Sequence, residues 1–222
     1  EALPDGLVIL DRDDHIAYFN ARYPDHLVEP LRDGLALGRP FEDWLREGIC
    51  HGPIYHEEMG PAFLENRLAL RQRGKNEHVH RIADGRWLRI RENCTPDGGR
   101  VILTTDITEE RSRAAQLRLL ALAVEQAADP VEITSASHGF TYVNHAFETT
   151  TGYAPEEVLG REPQHVLASG AQPPEFFDAM RRDLEAGRPW QGTIVNRHRD
   201  GHLIEQETTI APLRDDAGVI TH

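Results

Sequence analysis

The sequence predicts an α+β protein built as two copies of one domain in tandem, and three observations lead there. The first is a repeat. Asp5 opens the pattern Asp, twelve residues, Tyr, one residue, Asn, which ends at Asn20, and Asp129 opens the same pattern, which ends at Asn144. The two stretches, DGLVILDRDDHIAYFN and DPVEITSASHGFTYVN, align without a gap at an offset of 124 residues. That spacing fits whole domains rather than solenoid units of about 20 to 50 residues. The second is length, since 222 residues suit two domains of about 110 each. The third is the order of elements, which in each half runs two short strands, a helical middle and then hairpins. The boundaries read from this are 1–108 for the first domain, 109–128 for a connecting helix and 129–222 for the second domain.

Each half opens with paired strands. GLVIL (Gly6 to Leu10) and HIAYFN (His15 to Asn20) flank the polar turn Asp11 to Asp14, and PVEIT and GFTYVN flank Ser135 to His138. The helical middle of the first half includes Phe41 to Ile49 and a longer stretch near Pro61 to Arg73. In the second half it includes Pro155 to Leu159, stopped by Gly160, and Pro174 to Ala186, stopped by Gly187. Hairpins follow. EHVHRIA and RWLRIREN are joined by Asp84-Gly85, and Leu88 and Ile90 alternate with Arg89 and Arg91 to give one buried and one wet face. RVILTTDIT is apolar enough for a central strand. In the second half, WQGTIVNRH and HLIEQETTIAPL are joined around Asp200-Gly201, and the last strand, opening at VITH, is cut short at His222. Between the halves, Thr108 is placed to cap a helix whose first turn carries Glu109 and Glu110. Leu117, Leu120, Val124 and Ala127 fall at a, d, a, d spacing along it. That seam suits a parallel homodimer; the alternative is that the helix packs on its own domain.

Composition narrows the partners. The net charge is −13 with both signs mixed along the chain, and no basic stripe exists to follow a phosphate backbone, so nucleic-acid binding is not expected. No apolar run reaches the roughly 18 residues of a membrane span. The chain opens at Glu1 rather than Met and reads as a piece of a longer protein. Cys50 and Cys94 form no CxxC and no disulfide framework, which fits a reducing cytoplasm.

Several motifs, in order, resemble the PAS sensor family on both halves. In the first they are LPDGLVILDRDDHIAYFN, FEDWLREGI, ADGRW and PDGGRVILTTDIT, similar to a divergent PAS type of bacterial sensors. In the second they are YVNHAFETTTGYAPEEVLGREP, LASG, GRPWQGTIVNRHRDG and TIAPLRDDAGVITH, similar to the common PAS type. Asp106-Ile107-Thr108 matches the signature that ends a PAS core and begins a signalling helix, while Ala154 stands where the family usually carries a capping Ser or Thr. The resemblance implies, in each half, a five-stranded antiparallel sheet with helices on one face. It also implies a sensory input module, expected here to serve a bacterial sensor histidine kinase. A diguanylate cyclase or phosphodiesterase output is the alternative, as is a cofactor-free dimerisation scaffold.

A cysteinyl-flavin adduct needs a Cys before the LASG loop, and GREPQHVLASG has none. Haem needs an axial His, and neither Pro61 to Arg73 nor Pro174 to Ala186 holds one; His51, His56 and His165 fall in expected loops. His78 and His80 share a strand face but lack further ligands, and read as solvent-facing residues rather than a metal site. No catalytic motif is present, so the segment reads as non-enzymatic. FAD in the second half is the cofactor that remains. Trp190, Ile194 and Asn196 are even-spaced on one strand, so a buried face would carry Asn196 as a polar amide in need of a partner. In the resembled flavin-binding redox sensors the Asn at this position contacts the isoalloxazine, and Gln164 lies near where they carry a pocket carboxylate. The alternative has Trp190 packing on the sheet and Asn196 bonding to the neighbouring strand. Arg181 also replaces a tryptophan often found in flavin binders.

Overall fold

Asn20 and Asn144, the last residues of the two repeats, hold equivalent positions. Asn20 Oδ1 accepts from the amides of Leu7 (3.0 Å) and Tyr23 (2.9 Å), and its Nδ2 donates to the Asp5 carbonyl (2.9 Å). Asn144 Oδ1 accepts from the amides of Val131 (2.9 Å) and Phe147 (3.0 Å), and its Nδ2 donates to the carbonyls of Val124 (3.1 Å) and Asp129 (3.0 Å). Only a carboxamide offers an acceptor oxygen and two donors in one short side chain. Each Asn thereby fastens the chain ahead of the first strand to the chain after the second.

The computed structural model describes residues 5–51, 65, 68, 69, 76–135 and 139–222. They fall into two units, 1–116 and 117–222. The first unit carries strands β1 (Gly6–Leu10) and β2 (Ile16–Phe19), a 3-10 turn at Tyr23–His26, and helices α1 (Glu29–Asp33) and α2 (Phe41–His51). Strands β3 (Asn76–Arg81), β4 (Trp87–Cys94) and β5 (Arg100–Asp106) complete it. Five strands form one sheet in the order β2-β1-β5-β4-β3, with antiparallel neighbours throughout. Central β5 pairs on both edges, which accounts for its apolar sequence. Asp11 shapes the β1–β2 turn, its carboxylate accepting from the amides of Asp13 and His15 (2.9 Å each), while Asp14 takes the left-handed φ of +64° that short polar residues tolerate. Val8, Leu10, Leu88, Ile90 and Ile102 line the inner face against Phe41, Trp44 and Leu45. Burying each such side chain contributes about 2 kcal/mol, and the Trp44 indole N–H is satisfied by the Leu31 carbonyl at 2.9 Å. Of the helix expected near Pro61 to Arg73, only Glu65, Leu68 and Ala69 are among the described residues, and they are helical.

Two readings of the first half are corrected. His78 and His80 do share a face, but it is the inner one: β3 sets them opposite Ile90 and Leu88, and cross-strand partners share a face. His80 is only 2% exposed, and its ring stacks on His78 with centroids 5.5 Å apart. Thr108 does not supply the helix cap. Asp106 Oδ1 accepts from the Thr108 amide (2.9 Å) and hydroxyl (2.6 Å), which frees the Thr108 oxygen to accept from the Trp87 amide at 2.9 Å.

Helix α3 (Thr108–Glu125) is fastened at both ends. At its start the Ile107 amide donates to the Trp87 carbonyl (2.9 Å), and the Arg111 guanidinium lies 4.1 Å from the Trp87 ring centroid. At its end Asn144 caps the Val124 carbonyl, and the Tyr142 hydroxyl donates to Glu125 at 2.7 Å, an interaction that pushes the phenol up to about 12. Between those ends no residue of α3 is buried, so packing of the helix on its own domain is not observed among the described residues.

The second unit contains β6 (Glu132–Ser135), β7 (Gly139–Val143), α4 (His145–Thr151), α5 (Pro155–Val158), α6 (Pro163–Val166), α7 (Pro174–Glu185), β8 (Trp190–Arg197) and β9 (Leu203–Ile210). Asn144 is the N-cap of α4, and Gly152, at φ +76°, ends it by donating to the Glu148 carbonyl. Ala154 has no side-chain acceptor to offer α5, but Glu157 reaches back to the Ala154 amide at 2.9 Å, so half of a capping box survives. Phe140, Val143, Phe147, Val158, Val166 and Leu167 form the core. β6 pairs with β7 and β8 with β9, as two separate sheets. The chain after β9 turns back on itself instead of joining them. The Asp215 amide donates to the Val219 carbonyl (3.0 Å) and the Thr221 amide to the Leu213 carbonyl (2.9 Å), so VITH is the return arm of a hairpin. Among the described residues, no fifth strand joins β6 to β9.

Replacing Asn144, which is 1% exposed, with Ala strands the Val131 amide and leaves the Phe147 amide only its 3.1 Å bond to the residue-144 carbonyl. The expected loss is about 2 kcal/mol, from one donor left unmatched at about 1 to 3 kcal/mol. A urea midpoint unchanged from the parent chain would show that the asparagine is not a structural tie.

Candidate functional site

Strand parity places the candidate residues of β8 as the sequence suggested. Trp190, Gly192, Ile194 and Asn196 share one face, and the β9 register sets Ile210, Thr208, Gln206 and Ile204 opposite them. Ile194 is buried and the others on this face are half-buried, whereas the intervening residues of β9 are exposed. Trp190 lies over Gly192, where a Cβ would come within 2.6 Å of the indole, and meets Phe176 of α7 edge-on at 5.5 Å between centroids. A side chain at 192 would lift the indole off the strand.

Asn196 Nδ2 donates to Gln206 Oε1 at 2.9 Å. The bond uses neither the Asn196 Oδ1 acceptor nor the Gln206 Nε2 donors. Gln206 was missed from the sequence, although the alternation of HLIEQETTI around the Asp200-Gly201 turn carries the signal: counted from the turn, Gln206 falls on the face of Asn196. Gln172 was missed as well. It precedes α7, donates to the Thr193 carbonyl at 3.1 Å, and keeps its Oε1 buried with no hydrogen-bond partner among the described residues. Gln164 is not brought into this group. It is exposed on α6, and its amide donates to Glu162 at 2.5 Å. The face is tied to α6 by backbone, through the Arg197 amide to the Leu167 carbonyl at 2.8 Å and a bridge between Ala168 and Asn196.

The first unit holds a polar interior of a different kind. A cavity of about 30 Å³, lined by Tyr23, His26, Trp44, His80, Ile90 and Thr104 among others, lies between sheet and helices. Thr104 Oγ1 is buried there without a hydrogen-bond partner among the described residues. That volume is about one water's share of the liquid.

Comparison with known proteins gives matches on both halves. A family described as "PAS fold" matches residues 1–116, and one described as "PAS domain" matches residues 128–222. The nitrogen fixation regulatory protein of Klebsiella pneumoniae is 35% identical over 99 residues, which cover 45% of this chain and 20% of that protein. A human high-affinity cAMP-specific 3′,5′-cyclic phosphodiesterase is 32% identical over 126 residues, covering 54% of this chain and 15% of that protein. The chain thus spans a fifth or less of the length of these relatives. Among solved structures, the LOV domain of an Erythrobacter litoralis blue-light activated histidine kinase is 26% identical, with a TM-score of 0.38 over 41% of this chain and 85% of that chain.

The Asn196–Gln206 bond is testable on its own. In a double-mutant cycle, Asn196→Leu and Gln206→Leu should couple by about 1 kcal/mol, the net worth of a partly buried hydrogen bond. Strictly additive single effects would show that the two amides do not interact in solution.

Proposed function

The chain belongs to the PAS family, with a PAS domain in each half, and on that premise we propose that it is the sensory input region of a bacterial sensor histidine kinase, working in the cytoplasm as a homodimer. PAS domains are sensory, non-catalytic modules, so the chemistry of output belongs to other parts of the parent protein. The observation that carries the reading is the double fastening of α3. Its first turn is bonded to β4 and β5 through Trp87 and Asp106, and its last turn to β7 through Tyr142 and Asn144. A strand that shifts at either end therefore moves the helix. The proposed domain limits follow the same logic, 1–108 and 129–222 with the helix between. The relatives carry PAS segments beside differing outputs, so a cyclase or phosphodiesterase is the alternative parent. Phosphorylation of a histidine by ATP in the full-length protein tests the kinase assignment, and a cyclic-dinucleotide activity in its place would refute it.

Dimerisation is assigned to α3 because Leu117, Leu119, Leu120, Leu122 and Val124 are all exposed on it, two of them more than 65%. Contiguous exposed leucines mark an interface, and a second copy of the same helix supplies the matching seam. Leu117→Glu with Leu120→Glu should convert the dimer to a monomer in sedimentation. A dimer that survives both substitutions would place the interface elsewhere.

For the second domain we propose FAD, held on the β8–β9 face. The residues present fit its polar edge: Asn196 Oδ1 supplies an acceptor and Gln206 Nε2 donors, with the apolar Ile194 and Ile204 beside them. Such a flavin would supply reversible reduction, with a proton taken up at its ring edge. Asn196 and Gln206 would hold that edge, and any change in its donors would pass to the bond between them and so to β9. Gln164 is carried only as an outer residue of this site. The competing reading is a cofactor-free scaffold, favoured by Trp190 packed on Gly192 and by the closed Asn196–Gln206 bond. An absorbance band near roughly 450 nm that dithionite bleaches separates the two readings. It should persist without the first domain and weaken in Asn196→Ala. Colourless protein that takes up no added FAD would leave the scaffold.

A further inference from the structure

The tip of the β8–β9 hairpin reads His198-Arg199-Asp200-Gly201-His202, a motif that the flavin and relay readings do not use. The turn folds His198 and His202 toward each other, with ring centroids 4.3 Å apart and planes inclined by 22°. Asp200 points its carboxylate between them. Its Oδ1 lies 2.9 Å from His198 Nδ1 and 2.5 Å from His202 Nδ1, and also accepts from the His202 amide at 3.1 Å. The donor atoms of the three side chains all lie within 4.8 Å of one another.

We propose that this tip binds a divalent transition-metal ion of the zinc class, with His198, Asp200 and His202 as ligands and water completing the shell. The argument begins with lone pairs. His198 Nδ1 accepts from the Asp200 amide at 3.2 Å, yet it also lies beside the Asp200 carboxylate oxygen. A neutral imidazole cannot be an acceptor toward one and a donor toward the other from a single nitrogen. A cation among the three groups resolves the approach of Nδ1 to the carboxylate, its lone pair turning from the long Asp200 amide contact to the ion, and two imidazoles with a carboxylate are a set that zinc takes. Metal–nitrogen bonds of about 2.1 Å at a tetrahedral angle set ligand atoms about 3.4 Å apart, well inside the observed cluster. Small rotations of these side chains suffice, since those of Asp200 and His202 are more than half exposed.

The surroundings favour a built site. The His198 ring lies against Gly152 at the end of α4, where a Cβ would come within 2.6 Å of its Cε1 and Nε2. That side of the ring is therefore turned to the helix and Nδ1 to Asp200. The Arg199 amide donates to the Thr151 carbonyl at 2.9 Å, fixing the tip to the same helix. The neighbouring guanidiniums are engaged elsewhere. Arg199 pairs with Glu157 at 2.7 Å, and Arg197 bonds to the Ser169 carbonyl at 2.6 Å. Asp200 has no Arg partner among the described residues, so its charge is available to a cation. Metal at the tip would clamp β8 to β9 directly beyond Asn196 and Ile204. The site does not depend on whether FAD binds.

The test is calorimetric titration of the purified, chelator-treated chain with Zn²⁺. One equivalent should bind, and EDTA should reverse the accompanying rise in melting temperature. His202→Ala and Asp200→Asn should each weaken binding at least about tenfold; both act at exposed side chains, and Asn keeps an acceptor for the His202 amide. Co²⁺ should show visible d–d absorption in the parent chain and not in these variants. If Zn²⁺ does not bind, the cluster is satisfied by a proton alone and the proposal fails. It fails equally if both variants bind as the parent does, since the ion would then sit among the other histidines.

Discussion

One carboxamide per domain, half-buried at Asn20 and buried at Asn144, organises this protein. The first two strands of each half are short, and a two-stranded hairpin of this length is marginal in water. In the first half β5 pairs along β1 as well, and in both halves the asparagine at the hairpin's exit ties its entrance to the start of the following turn or helix. The bonds are backbone to side chain, so they constrain the chain's path irrespective of the apolar residues around it. In the second half the same side chain also receives the last turn of α3, through the Val124 carbonyl. The tie that holds the domain together is thus also the tie that attaches the helix.

That economy bears on signalling. An amphipathic helix joined to a domain by a loose linker transmits little, because the linker absorbs the motion. Here the joints are short hydrogen bonds to strands at both ends, and between them no residue of the helix is buried against the described residues. Free leucines between two fixed ends suit a second helix, and dimeric pairing would give the bonded ends something to rotate against. Coupling of this kind requires an element with two arrangements. An interhelical seam of barely two heptads is weak enough to have them.

The two halves treat polarity differently. The first closes its sheet with β5 and buries histidines and a threonine around a cavity of about 30 Å³. The second presents amides on a half-buried face, with the hairpin tip carrying His198, Asp200 and His202 beyond them.

The sequence by itself determined the tandem, most strand and helix positions, the Asp106-Ile107-Thr108 junction and the shared face of Trp190, Ile194 and Asn196, because period-two alternation, turn residues and repeats are local signals. Tertiary structure decided the rest. Parity set His78 and His80 on one face but not which face, since that depends on pairing with Leu88 and Ile90 on another strand. The capping role passed from Thr108 to Asp106 because the Trp87 amide, distant in sequence, claimed the hydroxyl. Gln164 lay near the site in sequence yet faces solvent, and Gln206, on the neighbouring strand β9, took the place beside Asn196. Spacing alone also did not reveal the convergence of His198, Asp200 and His202, since a motif of alternate residues meets at a point only when a turn folds it. Local sequence fixes which way a side chain alternates; long-range pairing determines what it meets there.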